Sequence, residues 1–140
     1  MMTINALCLF SITDLFDNIL EWRNQYNKMV GIWTMNLLRF PSFLSPLVLP
    51  DFIKNERKQH LSLWLEKHKK NKWLHELEQV SIERLINYLD GVKDPHSNVM
   101  KLSDQHHDFK NFFQQYDRRR NKNFHQTFPS ELIDWVHSLP

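Results

Sequence analysis

Glycine and cysteine are almost missing from this chain of 140 residues, which holds two glycines, Gly31 and Gly91, and a single cysteine, Cys8. So little glycine argues against a hairpin-rich β fold and against a glycine loop cradling phosphate. One thiol excludes an internal disulfide framework and any cluster or zinc centre built on several thiolates. Cys8 lies between Leu7 and Leu9. It reads as a small buried hydrophobe with no base beside it in sequence. Long apolar runs are lacking too, since none approaches the ~20 residues that cross a bilayer. The first ten residues carry no basic segment, and Asp14 and Asp17 soon follow. Neither a signal peptide nor a membrane span is expected, and the default compartment is the cytoplasm. Excess charge is lacking as well: 18 basic against 16 acidic residues leave +2, ordinary for a small protein. The eight histidines add positive charge below about pH 6.5.

Core-forming residues are plentiful. Apolar side chains make up 41% and aromatics 13% of the chain, too rich for disorder. A length of 140 residues fits one domain that hides roughly two-thirds of its unfolded surface.

The apolar run Thr3–Phe10 reads as a buried strand. Ser11 or Thr13 then caps a helix whose stripe is Leu15, Phe16, Ile19, Leu20, Arg23 and Tyr26, bracketed at its end by Asn27 and Gly31. Ile32–Phe40 reads as a second strand, covered on both faces, and the crossover makes the pair parallel. Pro41, Pro46 and Pro50 break regular structure within ten residues, yet Phe43, Leu44, Leu47, Val48 and Leu49 between them seek burial. The spacing predicts an extended segment plugged into the core over the strand ends. Asp51 caps a helix with Ile53, Arg57, His60, Leu61, Trp64, Leu65 and His68 on one face. A helix from Lys72 to Asp90 follows, carrying Trp73, Leu74, Leu77, Ile82, Leu85, Ile86 and Leu89, with Gly91 as a left-handed cap. Lys93–Lys101 reads as a polar loop. Ser103 or Asp104 starts a helix bearing Phe109, Phe112, Phe113 and Tyr116, and a last short helix carries Leu132, Ile133, Trp135 and Val136. The expected fold class is α+β, predominantly helical: a strand–helix–strand unit and apolar proline loop over 1–50, then a helical extension over 51–140, in one compact unit.

Constellations that carry chemistry are thin. His106-His107-Asp108 places two imidazoles about 100° apart on a helix, which does not suit one metal. His60 and His68 are two turns apart, and Glu56/His60 and Asp104/His107 form no His-Glu-x-x-His pattern. Ser42, Ser45 and Ser62 lack the strained elbow of a serine nucleophile. The pairs Asp14/Asp17 and Glu76/Glu78 read as solvent-facing, and the five tryptophans are spread one per element, as core or lid residues are. The cluster Arg118-Arg119-Arg120-Asn121-Lys122, flanked by Tyr116 and Phe124, is the one candidate phosphate-binding patch. Its plainer reading is a solvated turn in which Asp117 pairs with an arginine.

Two stretches carry a resemblance. Residues 38–50, Leu-Arg-Phe-Pro-Ser-Phe-Leu-Ser-Pro-Leu-Val-Leu-Pro, contain P-x-[FY]-L-S-x-x-x-L-P. Residues 108–129 read D-F-x-x-F-x-x-x-[YLM]-D-x-R-R, then Asn121 where glycine is expected, then x-[DN]-F-x-x-T-F-P. Both resemble segments near the C-terminal end of radical SAM proteins of the twitch-domain type. Asn121 departs from the pattern, though asparagine tolerates left-handed backbone. The motif positions are Pro41, Phe43, Leu44, Ser45, Leu49 and Pro50 in the first stretch. In the second they are Tyr116, Asp117, Arg118, Arg119, Phe124, Thr127, Phe128 and Pro129. The resemblance implies structural roles: Phe43, Leu44 and Leu49 anchor the proline loop, while Asp117, Arg118, Arg119, Phe124 and Phe128 hold the C-terminal turn.

Such proteins use Cys-x-x-x-Cys-x-x-Cys to hold an iron–sulfur cluster on which S-adenosylmethionine is cleaved to a radical, and that motif is absent here. The resemblance therefore implies the end of a partial α/β barrel plus a helical extension, with no cofactor of its own and no catalysis alone. It would be a separately encoded fragment, a split-gene partner or a truncated product. The implied partner is a separate chain carrying the barrel core. The alternative is an independent helical binding module that takes nucleic acid through Arg118–Lys122.

Overall fold

The computed structural model describes residues 1–27, 30–91 and 101–140. Two short strands, β1 (Met2–Ile4) and β2 (Met35–Leu37), pair in parallel with Met2 opposite Met35 and Ile4 opposite Leu37. Helix α1 (Ile12–Tyr26) is the crossover between them. Then come α2 (Asp51–His68), α3 (Glu76–Leu89), α4 (Leu102–Arg120), α5 (Phe124–Thr127) and α6 (Ser130–Ser138). The chain is thus predominantly helical α+β, as its patterning predicts. Among the described residues no helix is long and apolar enough to cross a membrane.

Both strands are shorter than expected, for local reasons. After Ile4 the Asn5 carboxamide oxygen accepts the amides of Leu7 (2.9 Å) and Cys8 (3.0 Å). That side chain offers the backbone an alternative to the ladder, and the chain turns into a 3-10 turn at Cys8–Phe10 instead of continuing to Phe10 as a strand. Cys8 is only partly buried, with its Sγ 3.7 Å from the Thr3 carbonyl. Along the second strand Trp33 and Met35 are buried while Thr34 and Asn36 are exposed. One face is covered, not two as the apolar composition suggested.

In α1, Phe16, Ile19, Leu20 and Arg23 are buried, whereas Leu15 and Tyr26 at the stripe's edges stay exposed. Phe16 stacks on Trp33 at 4.7 Å and meets Trp64 of α2 at 5.1 Å, tying crossover, strand entry and α2 into one core. Polar contacts run along the same α1–α2 seam. Thr13 bonds the His60 ring (3.0 Å), and Trp64 donates its indole N–H to Asp17 (2.8 Å).

Helix starts and stops differ in detail from the sequence reading. Pro50, not Asp51, is the residue before α2, and Asp51 sits in the first turn paired with Lys54 at 3.0 Å. Helix α3 begins at Glu76, because Asn71 holds the Trp73 amide in a turn ahead of it. Leu77 lies off the stripe of Ile82, Leu85 and Leu89 and is 63% exposed, while those three are buried. Gly91 has no positive φ; the left-handed residues are Asn27 (φ 52°) after α1 and Asn121 (φ 50°) after α4. Helix α4 starts at Leu102 after Lys101 rather than at Ser103 or Asp104. The polar loop expected after Gly91 falls, but for Lys101, outside the described residues. Of the tryptophans, Trp33, Trp64 and Trp135 are core, and Trp22 is exposed.

The pair Glu76/Glu78 is not generic. Glu78 is 0% exposed and forms a two-pronged ion pair with Arg23, itself 1% exposed, at 2.6 and 2.7 Å. Arg23 also donates to the carbonyls of Trp73 (2.8 Å) and Gly31 (2.6 Å). The Glu78 carboxylate further accepts the amides of Trp33 (3.1 Å) and His75 (3.2 Å). One buried pair thus fixes the end of α1, the approach to β2 and the start of α3.

His68, at the end of α2, stacks on Trp64 at 4.4 Å, and its Nε2 lies 3.6 Å from the Asp17 carboxylate, too far for a hydrogen bond. Burial lowers its pKa below the ordinary 6.5, and nearby Lys67 adds to this against the opposing pull of Asp17. The folded state therefore binds this proton less tightly than the unfolded chain. The stability held by neutral His68 is complete above pH ~6.5 and is lost progressively as pH falls from there through the lower folded-state pKa. Thermal melts from pH 7.5 to 5 should show a steeper decline for the native chain than for His68→Gln. Parallel declines would rule this out.

Candidate functional site

The proline segment and the C-terminal turn meet in space. Residues Ser42–Leu44 and Pro46–Val48 form two successive 3-10 turns, and α4 packs on both. Ser45, fully buried between them, accepts the Leu47 amide (3.3 Å) and bonds the Tyr88 hydroxyl of α3 (3.1 Å). The Leu44 carbonyl accepts the Ala6 amide (2.9 Å), which holds the segment across the exit of β1. Val48 and Leu49 are core; Pro41, Phe43, Leu44 and Pro50 are partly buried. From α4, His106 donates its ring Nε2–H to the Val48 carbonyl (3.0 Å), and Phe112 meets Phe43 at 5.5 Å.

The C-terminal turn is built on Asp117 and Asn121. Asn121 ends α4 in left-handed backbone, the geometry for which glycine is usual. Its amide and that of Lys122 return to the Asp117 carbonyl, the latter at 3.1 Å. The Asp117 carboxylate accepts the Phe124 amide at 2.7 Å. The expected pairing of Asp117 with an arginine is thus replaced by a cap on α5, an element the sequence pattern did not reveal. Phe124 is buried against Phe113 (5.4 Å) and Phe128 (4.7 Å). Thr127 is exposed and donates to the Asn123 carbonyl (2.8 Å), and Pro129 precedes α6.

No family model, curated protein or solved structure matches the chain.

The basic run is not a one-sided patch. Because α4 continues through Arg120, its three guanidiniums fan out by about 100° per residue. Arg118 lies over Asn111, Gln114 and Gln115, while Lys122 borders a different hollow beside Tyr116 and Asn123. Tyr116 is 44% exposed.

Among the described residues no group of three His, Cys, Asp or Glu side chains is placed to hold a metal ion. The ligand set of a radical SAM cluster does not fit these residues either: it takes three thiolates, and the chain has Cys8 alone.

Proposed function

We propose that this chain is the C-terminal accessory portion of a radical SAM-like iron–sulfur oxidoreductase, not catalytic by itself and completing a barrel core carried elsewhere. What carries the reading is the meeting of the two stretches that resemble that family. They are far apart in sequence, and they pack together through Phe43 and Phe112, with the His106–Val48 bond just ahead of the second stretch holding the same helix on the first. That agrees with a structural unit whose motifs exist to hold one another.

The sheet supports it further. Met2 donates to Thr34 (2.7 Å) and Ile4 accepts from Leu38 (2.9 Å), so both residues face β2. In a parallel ladder the amide of Thr3 between them then points away from β2. Such an edge is a template for another strand, and consecutive strands in this topology tend to be neighbours. On the far side of β2, Arg84 donates to the Met35 carbonyl and blunts that edge. The β1 edge, where the Thr3 amide is outward and its carbonyl meets only the weak Cys8 Sγ–H donor at 3.7 Å, is the one that would receive the barrel core.

Light scattering on the purified chain tests this. Self-association through the open β1 edge is expected at tens of micromolar. Thr3→Pro, which deletes the outward N–H on an edge position that tolerates proline, should return the chain to a monomer with its helical circular dichroism intact. A cooperative monomer at every concentration would sink the proposal and favour an independent binding module.

A further inference from the structure

A groove between α4, α5 and the residues after β1 shares motif residues with that reading, but its open face has no use in it. Its floor is Leu7, Leu44, Phe112, Phe113, Phe124 and Phe128, and it encloses about 450 Å³. Across Asn5, Leu7, Thr127 and Phe128 it runs on into a second hollow of about 390 Å³ that reaches Phe10 and Pro129. No charged residue lines this second hollow.

Charge gathers at the other end. Lys122 lines the first hollow beside Tyr116. Arg119 and Arg120 stand three and four residues beyond Tyr116 on α4, so they flank its face of the helix. None of these three cations has an ion-pair partner among the described residues. The one acid in the lining, Asp117, is engaged by the Phe124 amide. Midway, Asn5 spends its carboxamide oxygen on the Leu7 and Cys8 amides, which leaves its NH₂ group as a donor.

We propose that this groove binds an extended peptide segment of a partner protein, with apolar side chains on the aromatic floor and acidic residues against Lys122, Arg119 and Arg120. The Asn5 NH₂ serves a carbonyl of the peptide backbone. The polarity of the groove favours this occupant over nucleic acid. A single strand carries a phosphate at every nucleotide and needs cations along its whole track. Here the unpaired ones stand at one end only, since Arg57, over the Phe10 ring at the other end (5.4 Å), is paired with Glu56. The length and openness of the two joined hollows suit a chain rather than a compact small molecule.

The experiment selects a library of random ten-residue peptides against the full chain. The preferred sequence is then measured as a fluorescein-labelled synthetic peptide by anisotropy. Enrichment of Asp or Glu beside aromatic or aliphatic residues is expected. Lys122→Glu should weaken binding at least tenfold and Tyr116→Ala at least threefold, both with unchanged melting temperature because both side chains are exposed. Selected peptides without acidic residues, or smaller losses in these variants, would overturn the proposal. Displacement of the peptide by a ten-residue oligothymidine at lower concentration than by unlabelled peptide would overturn it too, and make the groove a nucleic-acid site. None of these outcomes depends on the β1 edge.

Discussion

Replacing Glu78 with leucine should destabilise the chain by about 3–5 kcal/mol, because it leaves the Arg23 guanidinium charged and buried without its partner. For a domain of this size that is a fall of roughly 10–20 °C in Tm. Arg23 would keep the carbonyls of Trp73 and Gly31, which solvate the guanidinium without neutralising it. Arg23→Met should cost a similar amount, now through the stranded carboxylate. The double variant separates the charge from the hydrogen bonds. Its loss should be clearly smaller than the sum of the single losses, since neither ion remains unpaired. It should still fall short of the native chain, because the amides of Trp33 and His75 and the carbonyls of Val30, Gly31 and Trp73 lose their partner, at about 1–3 kcal/mol for each buried group left unsatisfied. Urea titrations of the four proteins give the coupling directly. Strict additivity, or a fall of less than about 1 kcal/mol for Glu78→Leu alone, would mean that the pair is not the clamp described above.

This clamp also marks where sequence reasoning stopped. Arg23 falls on the apolar stripe of α1, and a charged residue on a buried stripe asks for a buried partner. Glu78 carried the matching signal, since it stands four, seven and eleven residues before Ile82, Leu85 and Leu89 on one face of α3. Its exposed neighbours Glu76 and Leu77 drew the reading toward a solvent-facing pair instead. Periodicity read α2 well, with Ile53, Leu61, Trp64 and Leu65 buried, and α4 in part: Phe109 is enclosed, while Phe112 and Tyr116 of the same expected face are exposed. Short elements were less legible. Strand lengths depended on Asn5 bonding its own backbone, and α5 depended on Asp117 reaching seven residues forward to the Phe124 amide. Neither bond leaves a hydropathy pattern. The candidate site was legible as two motifs, and the left-handed residue expected at Asn121 is there. That the motifs share a surface is a tertiary fact: Phe43 and Phe112 sit in segments whose spacing in sequence says nothing of their contact. The groove between α4 and α5 was hidden for the same reason, since its floor draws on residues from both ends of the chain.

The second large effect lies in that C-terminal half. Phe109 is 0% exposed and packs against Phe113 at 4.8 Å and Trp135 of α6 at 5.4 Å. Helix α6 has nine residues, too few to persist without docking, and its buried side chains are Leu132, Trp135 and Val136. Phe109→Ala removes a ring from the centre of this contact and should cost about 3–5 kcal/mol, the usual range for an enclosed phenylalanine. Because the cavity opens directly under Trp135, α6 should loosen before the rest of the molecule. Trp135 emission would shift to the red, and amides of residues 130–139 would exchange faster at denaturant concentrations where the α1–α2 core is still intact. Phe112→Ala, one position from Phe113 but 39% exposed, provides the contrast. It should cost about 1–2 kcal/mol, less than Phe109→Ala because the ring is only partly enclosed by Phe43, Phe113 and Tyr116, while stripping the aromatic floor of the groove. A fold-specific loss at Phe109 beside a binding-specific loss at Phe112 would assign the two faces of α4 to separate tasks. Equal destabilisation by both would mean that Phe112 belongs to the core and that the groove closes in solution.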